Sequence, residues 1–187
     1  MREFDPSTPS IIPVDQAFAT THVDELLALA RQIPEAPWTA EDIVGTRKAD
    51  GRIEYAKWQH TFALMQGEAI AGFVMAYERA AESNANYPIN SLYITGLAVR
   101  PESQRQGYAR QLMRAILEPV LANGFSELSG PTIFTLQTNA ADWNVPVRTF
   151  YESLGFRVVG SKQYDNRTDV VMLGDEKDVR AALQSRE

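Results

Sequence analysis

A chain of 187 residues with 44% hydrophobic composition can bury one sizeable core, and no break in composition argues for a second domain. A net charge of −6 argues against a general nucleic-acid binder, and the absence of cysteine excludes a disulfide framework, a thiolate metal site and a Cys nucleophile. The opening MREFDPSTPS has no apolar stretch of signal-peptide length and no run reaches the roughly 18 apolar residues of a membrane span, so a soluble, cytoplasmic protein is expected, with neither nucleic acid nor membrane as partner.

Residues 1 to 9 are polar, carry two prolines and read as a loose arm. Ser10 to Ala17 holds Ile11, Ile12 and Val14, a first strand that Pro13 confines to a sheet edge because proline has no N–H to donate. From Thr21 the spacing changes: Val23, Leu26, Leu27, Ala30 and Ile33 recur at three and four residues, the mark of an amphipathic helix, with Thr20 or Thr21 as its cap. Pro34 and Pro37 end it. Thr39-Ala40-Glu41-Asp42 opens a second helix with a capping-box pattern. Residues 46 to 58 are charged and weakly patterned, hence loop.

Thr61 to Met65 and Ile70 to Tyr77 read as two strands around the turn Gln66-Gly67-Glu68. Glu82 to Asn90 is a polar surface loop, and the strand Leu92 to Val99 follows. After a polar turn a helix opens around Gly107 and Ala109, with Leu112, Met113, Ile116, Leu117, Val120 and Leu121 as its apolar stripe. Pro119 lies inside the stripe and is expected to kink or end the helix. Ile133 to Thr138 is another strand, and Asn144 to Leu154 a helix in which Val147, Phe150, Tyr151 and Leu154 share one face, with Gly155 as C-terminal cap. Phe156 to Gly160 and Val170 to Leu173 are closing strands, and 175–187 is a charged tail of helical pattern. Strands and helices interleave, which makes an α/β or α+β sheet covered by helices in one domain over 10–174.

Gln104-Arg105-Gln106-Gly107-Tyr108-Ala109 follows a strand and opens a helix. Such a turn aims unpaired backbone N–H groups and the positive end of the helix at one point, the minimal side chains of Gly107 and Ala109 let an anion approach, and Arg105 and Arg110 add charge. The hexapeptide is neither a P-loop, which needs Gly-Lys-Ser/Thr, nor a dinucleotide fingerprint, which needs more than one glycine.

The same chain later carries N-x-x-V-x-x-F-Y-E-S-L-G-F from Asn144 to Phe156. Together these stretches resemble the two hallmark motifs of the Gcn5-related N-acetyltransferase (GNAT) superfamily, over about Leu92 to Ala115 and Asn144 to Phe156, and the element order over 10–174 is similar as well. The resemblance implies a GNAT fold: a central mixed, mostly antiparallel sheet, splayed at an acyl-CoA cleft and flanked by helices. It implies acetyl-CoA as co-substrate, no metal, and an amine acceptor. Backbone groups of Leu97, Ala98 and Val99 would meet the pantetheine and thioester, Gln104, Arg105, Gln106, Gly107, Tyr108, Ala109 and Arg110 would hold the pyrophosphate, and Asn144 would contact the pantetheine arm. Gly96 would mark the bulge that opens the strand.

Acyl transfer to an amine needs a neutral amine, a stabilised oxyanion and a protonated leaving thiolate. The N–H of Leu97 is the candidate oxyanion donor. Periodicity alone reads Tyr151 as a core aromatic; the motif match implies that it is the general acid for the leaving sulfur. Where many family members carry a Glu base, this chain has Thr95, which leaves Glu78, Glu54 or a relayed water. His22 and His60 read as structural, and Trp38, Trp58 and Tyr87 as core caps or pocket walls. The expected reaction is direct transfer in a ternary complex to a small-molecule primary amine. A peptide N-terminus or lysine as acceptor, a non-catalytic acyl-CoA sensor, and a domain with no nucleotide ligand are the alternatives, and the architecture is compatible with a homodimer.

Overall fold

The computed structural model describes residues 8–33, 38–47, 53–54, 60–83 and 88–185. Nine strands and six helices lie among them: β1 (Ser10–Pro13), α1 (Gln16–Thr21), α2 (Val23–Ala30), α3 (Ala40–Val44), β2 (Thr46–Arg47), β3 (Ile53–Glu54), β4 (Phe62–Gln66), β5 (Ala69–Arg79), β6 (Ser91–Val99), α4 (Tyr108–Asn123), β7 (Ile133–Asn139), α5 (Val145–Glu152), β8 (Arg157–Gln163), β9 (Thr168–Asp175) and α6 (Glu176–Gln184). Seven strands form one sheet in the order β1-β4-β5-β6-β7-β9-β8, and β2 and β3 pair separately. The β1–β4, β4–β5, β7–β9 and β8–β9 ladders are antiparallel and β6–β7 is parallel, so the sheet is mixed and mostly antiparallel, as the resemblance implied. Pro13 does lie on an edge strand.

The chain divides into two compact units, 1–77 with 95–117, and 78–94 with 118–187. In the first, α1 to α3 bury Ala19, Leu26, Leu29, Ala30 and Ile43 against Ala63, Ile70, Phe73, Met75 and Ala98 of the sheet. In the second, Phe134 and Leu136 of β7, Met172 and Leu173 of β9, Tyr151, Leu154 and Phe156 around the end of α5, and Val179 and Leu183 of α6 are buried. Removing a buried Leu- or Phe-sized side chain from water stabilises the fold by about 1.5–3 kcal/mol, so these clusters decide which helix faces turn inward.

Several elements depart from the sequence reading. The strand expected to reach Ala17 stops at Pro13, and Asp15 caps α1 by accepting from the Phe18 N–H at 2.8 Å. Neither Thr20 nor Thr21 caps a helix; their hydroxyls donate back to the carbonyls of Gln16 and Ala17 inside α1, and His22 is the N-cap of α2 without a side-chain bond to the helix backbone. The capping box at Thr39 and Asp42 is present. Within the stretch read as loop, β2 and β3 form a short antiparallel pair.

Pro119 does not end α4, which continues to Asn123. The proline is exposed while Ile116, Leu117, Val120 and Leu121 are buried, so burial on both sides of it outweighs the one hydrogen bond that it forfeits. On α5, Val147 is 41% exposed and off the buried face that Tyr151 and Leu154 share. Gly155 ends that helix with φ +87, as expected of a left-handed cap. The expected arm falls almost wholly on residues 1–7, outside the described residues, as do Trp58 and Tyr87.

Candidate functional site

In the first unit the candidate anion cradle grows directly out of β6. The Arg100 N–H donates to the carbonyl of Ala71 at 2.8 Å, and a short 3-10 turn over Pro101–Ser103 leads into the loop. Gln104 donates from Nε2 to the carbonyl of Val99 (2.9 Å), and Gln106 from Nε2 to that of Glu102 (3.3 Å). Both glutamine side chains therefore brace the loop, and the Val99 carbonyl accepts a bond from its own turn.

A residue not singled out in the sequence ties the loop at two places. Gln66, at the end of β4, accepts from the Ser103 hydroxyl at 2.8 Å and donates to the Tyr108 hydroxyl at 3.5 Å. These partners lie 37 and 42 residues away, so no local pattern could have shown them.

Arg105 has φ 60 and is the positive-φ non-glycine residue among the described residues; Gly107, two positions on, has φ 81. A side chain at φ > 0 is disfavoured, and the pair bends the chain sharply before α4. The first intrahelical bond runs from Gln111 N–H to the carbonyl of Gly107 at 3.1 Å, so the N–H groups of Tyr108, Ala109 and Arg110 have no acceptor within the helix. The first turn of α4 contains no acidic residue, and a Cβ built on Gly107 meets nothing within 4 Å. Backbone donors outside the helix ladder, a helix N-terminus and an open glycine face fit a pyrophosphate.

Upstream on β6, Leu97 is half-buried while Ala98 and Val99 are buried. Gly96 has a packing role that the sequence did not show. A Cβ there would lie 2.8 Å from the indole of Trp38, which also packs edge-on against Phe73, so the glycine makes room for a core tryptophan. The Thr95 hydroxyl is buried without a hydrogen-bond partner.

In the second unit, Asn144 is 3% exposed at the start of α5. Its Nδ2 donates to the Thr138 hydroxyl (2.7 Å) and to the carbonyl of Asn139 (2.8 Å), while Arg148 donates to the carbonyls of Asn139 and Ala141. The amide hydrogens of Asn144 thus lock α5 to β7, and its Oδ1 is the atom left for a ligand. Tyr151 is 8% exposed, edge-on to Phe156 and tilted against Phe150, and its hydroxyl has no hydrogen-bond partner among the described residues. Burial pushes the phenol above its ordinary value of 10.0, so it stays protonated at neutral pH. The periodicity that read Tyr151 as a core aromatic agrees with its burial.

The candidate bases fare differently. Glu78 accepts from Ser126 N–H (2.6 Å) and Oγ (2.7 Å), Glu127 N–H (2.8 Å) and Leu128 N–H (3.0 Å). Burial raises its pKa, but these hydrogen bonds outweigh it and hold the carboxyl below its ordinary value, the state of an anchor and not of a base. Glu54 lies on β3, and its side chain is outside the described residues. His22 stacks on Phe18 and contacts Glu25 at 3.0 Å. Among the described residues, no group of three or more His, Cys, Asp or Glu could hold a metal ion, and no helix is long and apolar enough to cross a membrane.

The profile of the family described as "Acetyltransferase (GNAT) domain" matches residues 57–158, more than half of the chain and both motifs. The chain belongs to the GNAT acetyltransferases. As a GNAT acetyltransferase it is an acyltransferase enzyme. Solved structures with a similar fold include the ribosomal-protein-S18-alanine N-acetyltransferase from Escherichia coli (18% identity, 90% of this chain and 94% of that one, TM-score 0.62). Arabidopsis thaliana Naa50, in complex with the bisubstrate analogue CoA-Ac-MVNAL, is 16% identical over 89% of this chain and 98% of its own, with TM-score 0.62. Chaetomium thermophilum Naa20, in complex with a bisubstrate analogue, is 16% identical over 95% of this chain and 90% of its own, with TM-score 0.67. At these identities the likeness is one of fold. No curated protein sequence matches the chain.

Proposed function

We propose that this GNAT acetyltransferase transfers an acetyl group from acetyl-CoA to a primary amine by direct attack in a ternary complex, in the cytoplasm. The observation that carries the donor assignment is the turn from Arg105 to Arg110, where two positive-φ positions flank Gln106 and an open glycine face meets the start of α4, ahead of its first intrahelical bond. The resemblance supplies the thioester chemistry; this chain supplies the holding groups. Arg105 and the α4 N-terminus bind the pyrophosphate, the Leu97 N–H stabilises the oxyanion, and the neutral phenol of Tyr151 protonates the leaving thiolate. With no cysteine in the chain, an acyl-cysteine intermediate is excluded. With Glu78 engaged and Thr95 unable to ionise near neutrality, the amine proton leaves through water.

The acceptor in the first reading is a small-molecule primary amine. A second reading, a peptide α-amine, is favoured by the names of the similar structures, an S18-alanine N-acetyltransferase and a Naa50 bound to a peptide-bearing bisubstrate analogue. The first test is the melting temperature with and without acetyl-CoA, for the wild type and Gly107→Glu. At a hundredfold excess over Kd a ligand stabilises by about 2.7 kcal/mol, or roughly 5–10 °C for a chain of this size. Such a shift, abolished by Gly107→Glu, supports the donor site and opens a thiol-release screen of small amines against peptides with free N-termini. No shift at saturating acetyl-CoA refutes it.

A further inference from the structure

Arg79, at the end of β5 in the second unit, has no place in the chemistry above and is held in an unusual state. Its guanidinium carbon lies 3.8 Å from the centre of the Tyr93 ring. Its Nη2 donates to the Thr135 hydroxyl at 3.5 Å, the long limit of a hydrogen bond, and that hydroxyl also pairs with the Ser91 hydroxyl at 2.8 Å. Its Nε is buried with no partner. Among the described residues no carboxylate stands within ion-pair distance: the neighbouring Glu78 is taken up by Ser126, Glu127 and Leu128.

A guanidinium has five N–H donors in a planar fork, and here one of them makes a long bond. Arg79 is half-buried without a carboxylate partner among the described residues, and a buried donor left without an acceptor is costly. Tyr93 fixes the plane of the fork on one side, and the Thr135–Ser91 pair fixes its rotation, so its orientation is set in advance.

We propose that Arg79 is the receptor for a carboxylate-bearing ligand. The planar fork matches the two oxygens of a carboxylate. A single guanidinium charge neutralises a monoanion and only half of a phosphate dianion. The inference is independent of the acetyl-CoA reading, because all of its residues lie in the second unit and none belongs to the donor machinery.

The experiment is a titration of the 15N-labelled full chain with propionate, inorganic phosphate and propionamide, following the Arg79 Nε–H signal and the backbone amides of Tyr93 and Thr135 by NMR. Propionate is expected to move these signals saturably, with a Kd in the millimolar range. Propionamide should leave them in place, and phosphate should bind several-fold more weakly. Arg79→Lys, which keeps the charge and loses the fork, should abolish the saturable response at Tyr93 and Thr135. The absence of saturation in the wild type overturns the proposal whether or not the variant folds. An equal response in Arg79→Lys, or tighter binding of phosphate, overturns it too. None of these outcomes bears on the acetyl-CoA melting shift, so the two assignments fail separately.

Discussion

Gly107 and Gly155 have nearly the same backbone angle, φ +81 and φ +87, in opposite surroundings, and an alanine at each separates conformational strain from steric exclusion. At Gly107 a Cβ meets nothing within 4 Å, so Gly107→Ala should cost only the left-handed penalty, about 1–2 kcal/mol. At Gly155 the added Cβ would lie 2.6 Å from the carbonyl oxygen of Asp178, 2.7 Å from its carbon and 2.8 Å from the nitrogen of Val179. These are backbone atoms in the first turn of α6 and cannot rotate away, so an overpacking term of about 1–3 kcal/mol adds to the strain, for a total of roughly 2–5 kcal/mol. Against a typical total stability of about 5–15 kcal/mol, the second variant should lie close to its unfolding threshold. Urea denaturation followed by circular dichroism reads both, with a lower midpoint and an unchanged m-value for Gly107→Ala. The same variant should lose part of the stabilisation by acetyl-CoA, because its methyl group fills the open face of the cradle. Equal destabilisation at the two sites would refute the reasoning.

Two further outcomes follow from particular bonds. Glu78→Ala removes an acceptor of four hydrogen bonds and should cost about 2–3 kcal/mol, read as a drop in melting temperature, with acetyl-CoA affinity retained. Because the folded pKa of Glu78 is lowered from 4.5, this contribution is present above that value and fades as the pH falls below it; a melting temperature unaffected by the substitution at pH 7 would contradict the anchor role. Tyr151→Phe should lower kcat about a hundredfold or more while leaving acetyl-CoA affinity nearly unchanged, and an unaltered kcat would remove the tyrosine from the mechanism. The raised phenol pKa also means that the unfolded chain ionises first above pH 10.0, so wild-type stability should fall there and Tyr151→Phe should blunt the fall.

Periodicity and punctuation in the sequence were sufficient for the hairpin of β4 and β5, the capping box of α3, the strand and helix around the cradle, and Gly155 as a cap. Each is a local event: an apolar repeat, a side chain within four residues, or a glycine at a positive φ. The family, too, was legible, because its two motifs are contiguous runs and the matched region 57–158 contains both. What failed locally failed for a nonlocal reason. Pro119 reads as a kink or an end, and the end is ruled out by a helix whose Leu117 and Val120 are buried on either side of it; Thr20 reads as a cap until Asp15 is seen to start the helix earlier.

The site divides along the same line. Gly107, Tyr151 and Asn144 were singled out in the sequence by contiguous motifs that resemble those of the family. That Gln66 ties the loop to the hairpin, that Glu78 is an anchor for the Ser126–Leu128 turn, that Gly96 makes room for Trp38 and that Arg79 lacks a counter-ion were decided only by tertiary structure. Sequence spacing determines which groups a short segment can offer; which of those groups are already satisfied depends on partners tens of residues away, and only folding brings them within 3 Å.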